Sequence, residues 1–173
     1  MSEIDPGRSF VCVGVAVLTI SDTRTLQTDT SGQVLADGVN TLGHRLIERA
    51  WVTDDVEQIQ ATLRAWIARD DISIILTTGG TGITRRDVTP EAVSELIDKP
   101  IDGFGELFRW LSYSSVGTST IQSRALAGVA EQTLIFALPG SSGACRDAWQ
   151  GILVSQLDSR HRPCNFIELL PRL

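Results

Sequence analysis

Lysine is almost missing from this chain: Lys99 is the only one in 173 residues, and nothing places it beside the glycine-rich stretch of the sequence. That excludes a Walker-type nucleotide loop, which needs Gly-Lys-Ser/Thr so that the lysine can reach the phosphates. Cysteine is scarce as well. Cys12, Cys145 and Cys164 are odd in number and widely spaced, with no Cys-x-x-Cys pair, so a disulfide framework and a structural zinc site are excluded and reduced thiols are expected. The longest apolar run, Phe10 to Ile20, is too short to cross a bilayer, and the acidic start Met1-Ser2-Glu3-Ile4-Asp5 lacks the basic region of a signal peptide. A cytoplasmic location is the expectation. Positive charge is in deficit: 15 Lys+Arg against 21 Asp+Glu leave a net charge of −6, which argues against nucleic acid or an anionic membrane as partner. Local arginines can still hold a small anion.

What is present reads as one α/β domain over residues 10–173 after a polar arm at 1–9. Phe10 to Ile20 reads as a strand buried on both faces, as in parallel sheets. A hydroxyl- and acid-rich loop runs from Ser21 to Gly32, and Val34, Leu35, Gly38, Val39 and Leu42 then keep helical spacing until Gly43. His44 to Val52 predicts a second strand, Ile59, Leu63, Trp66 and Ile67 a second helix, and Ile72 to Leu76 a third strand. This alternation builds a parallel sheet by right-handed crossovers. Beyond residue 98, Gly103 to Leu111 predicts a short helix after a glycine hinge. Residues 125–130 and 133–138 form a hairpin that puts one strand antiparallel, and Ala144 to Leu157 predicts the last helix. The expected fold is a three-layer α/β sandwich, mostly parallel, with helices on both faces.

The chemistry is expected beyond the carboxyl ends of the strands, where four loops leave the sheet: Ser21 to Ser31, Thr53 to Asp55, Thr77 to Asp87 and Pro139 to Gly143. In Thr77-Thr78-Gly79-Gly80-Thr81-Gly82, three glycines in four residues permit positive φ and leave no Cβ to keep a ligand away, so main-chain N–H groups can turn towards an anion. The alternative is a tight connection with no ligand. Arg85 and Arg86 add charge, Asp87 can hold a hard metal ion, and Thr89 as N-cap with Pro90 after it opens a helix. Ser141 and Ser142 stand at another helix start, as anion site or as simple cap. Asp22 and Asp29 read as Asx turns or site groups, and Asp54 and Asp55 as caps or site groups. Gly140-Ser141-Ser142-Gly143 suggests a serine hydrolase only weakly, because the nucleophile elbow requires glycine where Ala144 stands and neither His44 nor His161 is placed as a base. Phe104, Phe108, Trp110 and Leu111 suit either core packing or a subunit contact.

Read together, Thr77 to Gly82, Arg85-Arg86-Asp87-Val88-Thr89-Pro90-Glu91-Ala92, Gly103-Phe104-Gly105-Glu106, Ser123-Arg124-Ala125 and Leu138-Pro139-Gly140-Ser141 resemble the MoaB/Mog family of molybdenum cofactor biosynthesis proteins. Residues 117–129 and the tail Arg162-Pro163-Cys164-Asn165-Phe166 are more similar to the MoaB branch. The resemblance implies a molybdopterin-binding fold assembled as a trimer or a dimer of trimers, in which molybdopterin is adenylylated by Mg²⁺-ATP and pyrophosphate leaves. It also implies that Asp87 and Asp54 serve catalysis and the metal, with Asp55 the competitor to Asp54, and that Thr78, Gly79, Gly80, Thr81 and Gly82 hold phosphates. Ser21 and Asp22 match polar groups after the first strand, and Pro139, Gly140, Ser141 and Ser142 close the nucleotide site. The competing expectation is an accessory protein that binds molybdopterin or a nucleotide without turnover. Asp87→Ala is expected to fold normally and lose transfer.

Overall fold

The computed structural model describes residues 3–25 and 27–173; Met1 and Ser2 of the expected arm, and Leu26 of the first expected loop, lie outside them. The chain runs through β1 (Glu3–Ile4), β2 (Gly14–Ile20), α1 (Thr30–Leu42), β3 (Arg45–Val52), α2 (Val56–Ile67) and β4 (Ile74–Thr78). It continues through α3 (Thr89–Ser94), β5 (Lys99–Pro100), α4 (Asp102–Val116), a 3₁₀ segment (Gly117–Gln122), β6 (Leu126–Ala130) and β7 (Thr133–Leu138). The last helix begins as α5 (Ser142–Ala148), widens into a π turn (Trp149–Leu153) and ends as α6 (Val154–Gln156), ahead of β8 (His161–Arg162).

Six strands form the main sheet in the order β3-β2-β4-β7-β6-β5, parallel except for β6, which is antiparallel to both its neighbours. Strand side chains alternate between faces, so the unbroken apolar runs feed two cores at once. Val15, Val17, Ile74, Leu76, Leu134 and Phe136 pack on one face with α1, α4 and α5 residues such as Leu35, Phe108 and Cys145. Ala16, Leu18, Ile20, Ile75 and Ile135 pack on the other with Ile59, Leu63 and Val93 of α2 and α3. At about 1.5–3 kcal/mol per fully buried aliphatic side chain, these two layers supply the main driving force of the fold. β3 lies on one side of β2 and β4 on the other, so the switch in strand order falls between β2 and β4, where open sheets bind ligands.

Several expected boundaries move. The first strand begins at Gly14 rather than Phe10, and β4 at Ile74 rather than Ile72. α1 begins at Thr30 because Asp29 caps it, which shortens the preceding loop. Thr89 is helical and not the cap, since its hydroxyl is drawn 2.8 Å to the Gly79 carbonyl instead. The glycine hinge at 103–105 is helix interior: Gly105 packs where a Cβ would stand 2.5 Å from the Ala125 carbonyl oxygen, and α4 runs on to Val116. The described part of the arm is docked, β1 pairing with β8 and Arg8 donating to the Ser159 carbonyl at 2.9 Å. The hairpin forms without Asn-Gly because Glu131 accepts a left-handed φ of 53° and its N–H is held 2.7 Å from Asp98.

His44 and His161 are both buried, so neither is solvated. The His44 Nδ1 accepts from the Val13 N–H at 3.3 Å and its Nε2 donates to the Leu157 carbonyl at 2.8 Å, an arrangement that only the neutral ring satisfies. Burial lowers its pKa below the usual 6.5, against the opposing pull of the Leu157 carbonyl and Asp158. The unfolded chain therefore takes up the proton first as pH falls. The stability from neutral His44 is complete above the unfolded value and drains away below it. We expect the urea midpoint to fall between about pH 7.5 and about pH 5.5, and His44→Gln to flatten that slope.

Candidate functional site

A cavity of about 760 Å³ opens at the carboxyl ends of β2, β4 and β7, and all four expected loops reach it. Its floor is the glycine loop. Gly79 and Gly80 take φ of 115° and 62°, and a Cβ would fall 1.9 Å from the Ile20 carbonyl oxygen at Gly79 and 2.7 Å from an Asp54 carboxylate oxygen at Gly80. Glycine is therefore required at both for steric as well as conformational reasons. The loop carbonyls are tied back: Gly79 O accepts from the Thr89 hydroxyl, Gly80 O from the Thr89 N–H at 3.0 Å, Thr81 O from the Arg124 N–H at 3.0 Å and Gly82 O from Arg124 Nε at 2.7 Å. The Gly79 amide is used internally, donating to Leu138 O at 3.0 Å, whereas the Gly80 and Thr81 amides donate to no described group. Arg124 also donates to the Asp87 carbonyl at 2.7 Å and pairs with Glu91. One guanidinium thus clamps the loop to α3.

Three carboxylates crowd beside this floor. Asp55 is the N-cap of α2, accepting from the Gln58 N–H at 2.9 Å, which leaves Asp54 as the one that lines the cavity. Its pKa is raised by burial first and then by the charge of Asp22, with Asp87 adding to it, while the Asp22 backbone N–H and the Arg86 charge pull the other way. Asp87 also lines the cavity. Burial works to raise its pKa, but the Thr84 hydroxyl at 2.6 Å, the Thr84 N–H at 2.8 Å, the Gly82 amide and the Arg124 charge outweigh it and hold the carboxyl low. Asp22 is paired by Arg86 at 2.6 and 2.8 Å and accepts from the Asp54 N–H at 3.2 Å. It positions Asp54 and Arg86 but does not line the cavity itself. No cluster of three metal-ligating side chains exists among the described residues, so a hard cation here would draw on Asp54 and Asp87 and complete its shell with water and phosphate oxygens, as Mg²⁺ commonly does. The carboxylate of Asp54, repelled by Asp22 and Asp87, fits that donor set.

Ser21, Thr78, Gly79, Gly80, Thr81, Gly82, Pro139, Gly140 and Ser141 line the cavity as expected. Ser142 does not: the Ser141 hydroxyl caps α5 by accepting from the Ala144 N–H at 3.1 Å, and Ser142 is already helix. Among the described residues no serine–histidine pair is assembled at this loop, since His44 is committed to the core and Ser141 to its cap. Arg85 is exposed and away from the cavity, while Arg86, Arg24 and Arg146 line it. Sequence reasoning missed Arg24, Arg146 and a whole wall formed by the end of α4 and the 3₁₀ segment, residues 108–123. The signal for that wall was Gly117, a stop (φ 60°) six residues beyond the last predicted helical residue. Near the floor the Cys145 thiol is pushed up to about 11 by burial, which keeps it an inert neighbour of Thr78.

The profile of the probable molybdopterin binding domain family matches residues 16–159, which takes in every loop of the cavity. The chain belongs to this family. Its relatives include molybdenum cofactor biosynthesis protein B of Escherichia coli K12, 51% identical over 166 residues that make up 96% of each chain. The same protein of Bacillus cereus is 48% identical over 142 residues, 82% of this chain and 84% of that one. Among solved structures, a molybdenum cofactor biosynthesis protein B superposes with a TM-score of 0.84 at 46% identity, covering 87% of this chain and 94% of that chain. The tungsten cofactor synthesizing protein MoaB of Pyrococcus furiosus superposes with a TM-score of 0.73 at 34% identity, covering 82% and 91%. The family member described here is thus of the MoaB type and carries a molybdopterin-binding domain on the expected three-layer fold.

Proposed function

We propose that the chain transfers the adenylyl group of ATP to the terminal phosphate of molybdopterin. The observation that carries this reading is the juxtaposition of free amides at Gly80 and Thr81 with the carboxylates of Asp54 and Asp87 across one cavity. A phosphate oxygen of molybdopterin attacks the α-phosphorus of ATP, the bond from that phosphorus to the bridging oxygen breaks, and pyrophosphate departs. No protein nucleophile is needed. The Gly80 and Thr81 amides orient phosphate oxygens, and Arg24, Arg86 and Arg146 offset the repulsion between two anions brought together. Asp54 and Asp87 would hold Mg²⁺, which when bound neutralises charge on the leaving pyrophosphate. Incubating the protein with ATP, Mg²⁺ and molybdopterin tests the proposal through pyrophosphate release. Binding of molybdopterin without release would support the accessory reading instead, which the same cavity accommodates.

Self-association as a trimer or a dimer of trimers belongs to the same proposal. Phe104 and Phe108 are core residues, but Trp110 on the other side of α4 is 72% exposed, and Leu107, Tyr113, Val116 and Ile121 are exposed with it. Such a patch on one helix and the turn after it suits contact with a second copy. Trp110→Glu is expected to shift the light-scattering mass to that of a smaller species while the circular dichroism spectrum is retained. An unchanged mass would remove this face from the interface.

A further inference from the structure

The cavity straddles the end of the sheet, and the two layers of helices sort its charges. Asp54 leads into α2, and Arg86 and Asp87 lead into α3, the helices that pack on one face. On that side Arg86 is already taken up by Asp22, so the lining is negative. Arg24 and Arg146 belong to the other face, where α1 and α5 pack against each other. Arg24 donates from Nη1 to the hydroxyl of Thr30, the first residue of α1, at 3.2 Å, and Arg146 stands on α5. Burial pushes up the Cys145 thiol and both guanidinium charges pull against it, which brings the two arginines near one point by the cavity floor. Arg24 is half-buried, Arg146 is exposed and both line the cavity, yet neither pairs with a carboxylate among the described residues. Asp147 is the one acid that lines the cavity on α5, so this side keeps a net positive charge.

Two adjacent carboxylates repel a bare anion and attract one that arrives with a divalent cation. Two unpaired guanidinium groups do the reverse: they repel a metal ion and present planar forks of N–H donors to phosphate oxygens. We infer that Arg24 and Arg146 form a second anion subsite on the α1 and α5 side of the cavity, one that binds a phosphate monoester without metal. The inference deepens the function proposed above and rests on it for the division of labour. The phosphate of the pterin takes the arginines, and the triphosphate takes the glycine loop with its magnesium. Two anions thus enter one cavity by different chemistry and do not compete for the same groups.

Calorimetric titration of the intact protein with inorganic phosphate, free of metal, and with Mg²⁺-pyrophosphate tests the subsite. Phosphate is expected to bind without Mg²⁺ and to bind equally well when Mg²⁺-pyrophosphate is saturating. Arg24→Gln and Arg146→Gln are each expected to weaken phosphate about tenfold and to leave Mg²⁺-pyrophosphate affinity unchanged, whereas Asp54→Asn does the opposite. Arg146→Lys keeps the charge but not the fork and is expected to fall between. Arg24 makes one described side-chain hydrogen bond and Arg146 none, so the glutamine variants should fold as the parent does, which circular dichroism checks. 6-Hydroxymethylpterin phosphate is expected to depend on the two arginines as phosphate does, and Mg²⁺-ATP not to; the reverse dependence would give the arginines to the nucleotide and overturn the assignment. Displacement of phosphate by Mg²⁺-pyrophosphate, an equal loss of both ligands in an arginine variant, or phosphate affinity that those variants leave unchanged would overturn it as well. Phosphate bound as expected with no binding of Mg²⁺-pyrophosphate supports the arginine subsite and removes the metal-dependent half of the proposed function. Mg²⁺-pyrophosphate bound without phosphate keeps that function and overturns the subsite, and binding of neither overturns both.

Discussion

Asp54→Asn is expected to reduce pyrophosphate release by about 10² to 10³-fold, the loss typical when one preorganised charge-stabilising group is removed, while the protein melts at or above the parent temperature. The stability half of this result follows from electrostatics. Burial and the charges of Asp22 and Asp87 raise the Asp54 pKa, so in the folded state the ionised carboxylate is held against an unfavourable field. A raised carboxylate pKa means that the native state binds its proton more readily than the unfolded chain, so the ionised group works against folding at neutral pH. Asparagine keeps the size and removes the charge. Activity lost together with stability would point to a structural role, and activity retained would remove Asp54 from the mechanism. Asp87 is a poorer diagnostic than the sequence alone promised. Its carboxylate holds the Thr84 turn through both the N–H and the hydroxyl, so Asp87→Ala loosens the loop as well as removing a charge.

The largest effect on stability is expected at Asp29. Its side chain is completely buried, accepts from the Thr19 hydroxyl at 2.5 Å, from Ser31 at 3.0 Å and from the Gly32 N–H at 2.8 Å, and pairs with Arg49 at 2.9 Å. Burial alone would raise its pKa, but these donors outweigh it and the net displacement is downward. Asp29 thus contributes stability that is present above the unfolded carboxylate value and is lost as pH falls through the lower folded one. Asp29→Ala removes the α1 cap and leaves a partly buried guanidinium whose Nε already has no partner. Breaking a buried pair from one side costs about 3–5 kcal/mol. The midpoint of urea unfolding measures it, and a shift under about 1 kcal/mol would show that water replaces the carboxylate at no great loss.

How much of this was legible beforehand depends on whether the deciding contact was local. The parallel strands were readable because residues buried on both faces leave continuous apolar runs, as in β2 and β7. The glycine loop was readable because positive φ and close approach demand the residue itself. The choice between Asp54 and Asp55 was closed to sequence, since either aspartate can cap a helix and only the path of the backbone shows which one does. Asp22 was matched to a site group through the resemblance, yet its carboxylate is taken up by Arg86, 64 positions away. The length of α4 was hidden by Gly103 and Gly105, which resemble breakers until the second proves to be packed against Ala125. Arg124 belonged to a recognisable motif, but nothing in its sequence position foretold the four groups it joins.

That arginine has a further consequence. The 3₁₀ segment that borders the cavity leads within two residues to the guanidinium that grips Gly82, Asp87 and Glu91. That wall and the glycine loop are therefore joined by a short piece of backbone as well as by packing. A cleft braced this way moves as one piece along that side.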